Sequence, residues 1–111
     1  MTLINKTAKA ELPEMMSQED IEDPMVPVRL FCPSNYAAWY LIEYSAVTPS
    51  GMTRMAFALC DLGLGYPELG EVSIEELESI RGPLGLGIER DLCWTRKPLS
   101  AVQAELHGVR Q

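Results

Sequence analysis

Two carboxylates flank an arginine at Glu89-Arg90-Asp91. On a strand, residues two apart share a face, so Glu89 and Asp91 point one way and Arg90 the other. Two carboxylates on one face can hold a magnesium ion. With a third ligand drawn from the glutamates of 68–78, they would do the chemistry of a metal-dependent nuclease acting on DNA. The plainer reading is ion pairing of Glu89 or Asp91 with Arg29, Arg54 or Arg81 across a sheet, worth ~0–1 kcal/mol if exposed. Pairing is the stronger reading, because nothing in the sequence fixes the third ligand.

The other reactive groups are few. The single histidine, His107, lies near the end of the chain, a poor foundation for a Ser-His or Cys-His pair. The three cysteines, Cys32, Cys60 and Cys93, form no CxxC or Cys/His cluster, so a zinc site is not expected. Each sits in an apolar run and reads as a buried, reduced core thiol, which fits a cytoplasmic protein. "GLGYPELG" lacks the Lys and Ser/Thr of a phosphate-binding loop, and "GPLGLG" follows a helix rather than a strand, unlike a dinucleotide fingerprint. No catalytic residue, metal or cofactor is therefore assigned, and the protein reads as non-enzymatic.

The elements that would position these groups can be traced. Residues 2–12 read as a short helix with Leu3, Ile4, Thr7, Ala8 and Leu12 along one side, stopped by Pro13. Six acids and no base follow between Glu11 and Asp23, which reads as a solvated loop; together, 1–24 form an acidic N-terminal arm. Strands are expected at 25–33 (at an edge, or starting after Pro27), 35–47, 54–63 and 87–94. In the second, Trp39, Leu41 and Glu43 alternate with Tyr40, Ile42 and Tyr44, so one face should be core and the other half-exposed. The third is apolar almost throughout, so both its faces should be covered or its position central. "LGLGYPELG" reads as a break.

"SIEELESIRG" carries the clearest local signal. Ser73 and Glu76 make a capping box, Ile74, Leu77 and Ile80 form an apolar stripe, and Gly82 and Pro83 stop the helix. Glu75 and Glu78, with Glu71 just before the helix, should then face solvent. Pro98–Leu106 reads as a last helix with Leu99, Val102 and Leu106 inward, and 107–111 as a frayed tail. The sum is one α+β domain: an antiparallel sheet of about four strands with two to three helices.

The chain has 111 residues and a formal charge of −7, from 16 acids and 9 bases. That balance argues against direct binding of nucleic acid, and the aromatic set Trp39, Tyr40, Tyr44 and Trp94 lacks the cations a base-stacking platform needs. It suits a partner with a basic surface. The bases gather late (Arg81, Arg90, Arg96, Lys97, Arg110) and the acids early, a polarity that would also suit a homodimer. No apolar run is long enough to span a membrane.

Several pieces carry a family resemblance: "LPEMMSQEDIEDPMVPVRLFCP", "AWYLIEY", "PELGEVSIEELESIRGPLGLGIERDLCW" and "KPLS". Through them, from Leu12 to Leu106, the chain resembles domain-of-unknown-function family 2958. Glu-Leu-Gly, Glu-Leu-Glu and the Arg-Gly-Pro-Leu-Gly-Leu-x-Ile-Glu-Arg-Asp run are the specific part. Gly87 stands where the family has proline and Glu71 where it has an aromatic. The resemblance implies context rather than activity, since such proteins occur largely on plasmids, integrative elements and phages. Many proteins of that setting inhibit host defences.

The expected function is an acidic binding protein of a mobile genetic element, for instance an anti-CRISPR or anti-restriction inhibitor. It would block a basic nucleic-acid-binding groove of a host protein or ribonucleoprotein complex through Glu71, Glu75 and Glu78. The alternatives are the nuclease and a plasmid maintenance accessory protein.

Overall fold

The computed structural model describes residues 3–47, 53–63, 65–81 and 85–109. Among these residues, three helices and seven strands follow in the order α1 (Lys6–Glu11), β1 (Met25–Val26), β2 (Val28–Phe31), β3 (Ala38–Val47), β4 (Thr53–Asp61), β5 (Glu68–Ser73), α2 (Ile74–Ser79), β6 (Glu89–Arg90), β7 (Lys97–Pro98) and α3 (Leu99–Val109). Five strands form an antiparallel sheet in the order β5-β4-β3-β2-β6, and β1 pairs with β7 in a separate ribbon. The fold is α+β.

Both faces of the sheet are covered. One carries Val28, Leu30, Trp39, Leu41, Ala56 and Ala58 against Leu3, Ile4, Ala8 and Leu12 of the α1 region and Ile74 and Leu77 of α2. The other carries Tyr40, Ile42 and Leu59 against Val26 and against Leu99 and Val102 of α3. This corrects the half-exposed strand expected at 35–47: Trp39 through Tyr44 are all buried. The apolar β4 is an interior strand, between β5 and β3, with both faces covered.

A β-bulge explains the crowding of β3. Leu41 pairs with Ala58 and Glu43 with Phe57, so Ile42 and Glu43 together oppose one residue of β4. The alternation slips by one, and Glu43 leaves the face of Trp39 and Leu41 for the α3 face.

Other local departures have local causes. The 25–33 run divides at Pro27, which has no amide for a ladder, and β2 lies inside the sheet between β3 and β6. The first helix starts at Lys6 because the Asn5 side chain accepts Ala8 N–H and caps it, which leaves Thr7 exposed. "ELGEVS" is the edge strand β5 rather than a break. Its largely exposed side chains give no apolar alternation to detect. Ser73 caps α2 by accepting Glu76 N–H at 3.2 Å. Ile80 lies beyond the last turn in extended backbone and is 40% exposed, so the core stripe is Ile74 and Leu77. Gly82 and Pro83, expected to end this helix, lie outside the described residues. The 87–94 strand shortens to Glu89–Arg90, and α3 continues past Leu106 to Val109. The three cysteines are free, but only Cys32 is buried; Cys60 is half-buried and Cys93 exposed, which corrects the expectation of three core thiols.

Candidate functional site

The N-terminal arm forms one wall of a groove on the sheet. It is not a loose loop. Tyr44 N–H donates to Pro13 O at 2.9 Å, and the Glu43 carboxylate accepts Met16 N–H at 2.8 Å and Gln18 N–H at 2.7 Å. At its far end, Asp23 accepts Ser100 N–H and the Ser100 hydroxyl at 2.9 and 2.6 Å, and Leu99 N–H donates to Pro24 O. Asp23 thus satisfies an amide in the first turn of α3, and these bonds hold its carboxyl below the usual range. Glu43, a charge with only 4% exposure, is the central pin: without it two arm amides lose their acceptor.

Between the pinned arm and the sheet lies a groove of about 430 Å³. Its floor and walls are Ile42, Phe57, Leu69 and Leu99 with Met15, Met16 and Ile21, and Glu19, Glu22 and Glu71 stand among the lining residues. Met16, Ile21 and Leu69 are 65, 48 and 47% exposed, so three of the molecule's exposed large apolar side chains meet at one place. Glu19, Glu22 and Glu71 are exposed as well. An apolar surface shared with exposed carboxylates can take an apolar group that carries or neighbours positive charge.

Of the acids expected to meet a partner, only Glu71 lies here. Glu75 and Glu78 are tied to Arg54 instead: Arg54 Nε donates to Glu75 at 2.6 Å, and Nη2 and Nη1 donate to the two oxygens of Glu78 at 2.5 and 2.8 Å. Glu78 also accepts Leu3 N–H. The fork holds Arg54 in left-handed backbone, φ +47°, where a non-glycine residue is uncommon. The missed signal was Arg54 itself, which sits at the start of a strand next to the helix that the sheet brings alongside.

This cluster predicts a pH dependence. The hydrogen bonds from Arg54 depress the Glu78 carboxyl below its ordinary 4.5. A carboxylate depressed in the folded state contributes its stability above the unfolded value and loses it as pH falls through the folded one. Thermal melts should therefore decline below about pH 4.5, and Arg54→Met should flatten that part of the decline. Equal acid sensitivity in both proteins would contradict the assignment.

The Glu-Arg-Asp triplet is a clasp. Asp91 Oδ2 pairs with Arg29 at 3.1 Å and Oδ1 accepts Cys93 N–H, so both oxygens are engaged. Arg29 also lies over the rings of Phe31 and Tyr40. Arg90 reaches Asn5 Oδ1 at 3.2 Å and Glu11 at 3.5 Å, tying β6 to α1. Glu89 is exposed and pairs through its backbone with Phe31. Beyond the triplet, Trp94 donates to Val26 O and packs on Tyr40, and Lys97 lies 4.7 Å from the Trp94 ring. Among the described residues, no group of three or more His, Cys, Asp or Glu is placed to hold a metal. No helix among them is long and apolar enough to cross a membrane.

Neither the curated proteins nor the solved structures contain a match to this chain. One family does match, over residues 3–108, and it takes in the arm, the groove and the clasp together. The chain belongs to the family described as "Protein of unknown function (DUF2958)".

Proposed function

We propose that the protein is a non-enzymatic binding protein of a mobile genetic element. In this reading it acts in the host cytoplasm as an anti-defence inhibitor of the anti-CRISPR or anti-restriction kind, set against the basic, nucleic-acid-binding surface of a host protein or ribonucleoprotein complex. The observation that carries the binding role is the groove, which exposed Met16, Ile21 and Leu69 line together with exposed Glu19, Glu22 and Glu71. Surface apolar clusters with charged groups beside them are a common form of protein docking site, and these carboxylates have the sign that attracts a basic partner and repels nucleic acid. The mobile-element and anti-defence parts draw on the setting of the family. The nuclease reading has less support, because Asp91 is already held by Arg29 and Cys93.

A challenge experiment tests the role. The gene is expressed in a host whose restriction or CRISPR system destroys an incoming plasmid. Wild type should restore plasmid establishment, and Glu19→Lys/Glu22→Lys/Glu71→Lys should not, with both proteins equally folded. Unrestored establishment across the host's defence systems would remove the anti-defence role. Slower loss of a resident, untargeted plasmid would favour maintenance instead.

A further inference from the structure

The strand beside the groove is unfinished. β5 forms one edge of the five-stranded sheet and pairs only with β4. Among the described residues, no strand pairs with its outer side. An edge strand presents alternate N–H and C=O groups outward, and a six-residue edge is long enough to template another strand. Leu69 and Glu71 lie opposite Leu59 and Phe57, so they sit on the α3 face, where the groove is. At the centre of the edge, a side chain on Gly70 would meet nothing within 4 Å, so the surface there is open backbone. Glycine at such a position permits close approach of a second backbone.

We infer that β5 is completed by an extended, basic segment of the protein partner, which adds to the sheet as a sixth strand. This deepens the proposed function and rests on it. Strand addition takes affinity from main-chain hydrogen bonds and specificity from alternate side chains. The next strand position is about 4.8 Å beyond β5, so alternate side chains of the incoming segment would stand beside Leu69 and Glu71 at the mouth of the groove. Apolar side chains there extend its floor and lysine or arginine meets Glu71, while on the other face, where Glu68 lies opposite Cys60, lysine or arginine meets Glu68. Charge decides against a second copy of this chain as the occupant. A second copy would bring a further net charge of −7 and another Glu68 and Glu71 to this edge, with no cation in its β5 to meet them.

The probe is a blocked synthetic peptide of alternating lysine and valine, about eight residues long so as to match β5. Two versions carry N-methyl groups on one or the other set of alternate amides, which removes strand-pairing donors without changing charge. Binding is followed by amide NMR and hydrogen exchange of the full chain. The expected result is slowed exchange across Glu68–Ser73, with affinity lost about tenfold or more for one methylated set and changed little for the other. Loss of affinity in neither set or equally in both, shifts confined to the groove without β5, or absence of binding would each overturn strand addition. None of these outcomes touches the groove reading, which stands or falls on the Glu19/Glu22/Glu71 reversals in the challenge experiment.

Discussion

Replacing Glu43 by alanine is expected to destabilise the protein by about 3 kcal/mol and to release the N-terminal arm. Two terms act together. Hydrogen bonds to a charged acceptor contribute roughly 1.5–3 kcal/mol, and amides left without an acceptor cost about 1–3 kcal/mol each unless water reaches them. Met16 and Gln18 amides both lose their acceptor in this variant. Met16 also adopts left-handed backbone, φ +68°, a conformation the chain keeps only while its surroundings enforce it. Denaturant melts give the energy, and hydrogen exchange at the Met16 and Gln18 amides gives the local effect. Glu43→Gln should fall between the two proteins, since its amide oxygen can still accept a bond. A loss under half a kcal/mol, with both amides still protected, would mean that the arm is held by other contacts.

Leu77→Ala is the second large effect, about 2–5 kcal/mol, from lost transfer energy and the cavity left between α2 and the sheet. Leu77 is 5% exposed within the core that contains Leu41, Ala56 and Ile74. Ile80→Ala serves as the contrast. Its side chain is 40% exposed, so its loss should stay near the half-kcal/mol range of surface changes. If the two substitutions cost the same, the helix packs differently.

The pattern of what could be read in advance follows the range of each interaction. The Ser73 cap and the start of α2 are local, and both stand where the residues place them. The apolarity of β4 likewise marks it as an interior strand covered on both faces. The Asp91–Arg29 pair was one of several pairings open to the triplet, and only the β2–β6 register selects it. Three features were beyond local signal. The bulge at Ile42–Glu43 shifts a face by one residue, so Glu43, which strict alternation puts on the side of Trp39, is the pin of the arm. β5 has an edge strand's exposed composition, glycine included, and so lacked the alternation that marks a strand. The Glu75 and Glu78 side chains looked free on a helical wheel, because the wheel does not contain Arg54, which arrives from β4.

That last point separates the surface acids by role. Reversing Glu75 and Glu78 would set two new cations against Arg54 and disturb the fold. Glu19, Glu22 and Glu71 have exposed positions around the groove, so reversing them should leave stability within about half a kcal/mol.

The most direct measurement of the groove's role is therefore the affinity of a partner captured from the native host, measured against salt for wild type and for Glu19→Lys/Glu22→Lys/Glu71→Lys. Screening shortens from about 14 Å to about 4 Å between roughly 0.05 and 0.5 M salt, so an electrostatically led complex should weaken steadily across that range. The reversed protein should bind at least tenfold more weakly at low salt, mainly through slower association, and the two proteins should converge as salt rises. An affinity that ignores both salt and the three reversals, in a variant that melts like wild type, would contradict the claim that this acid-lined groove is the binding surface.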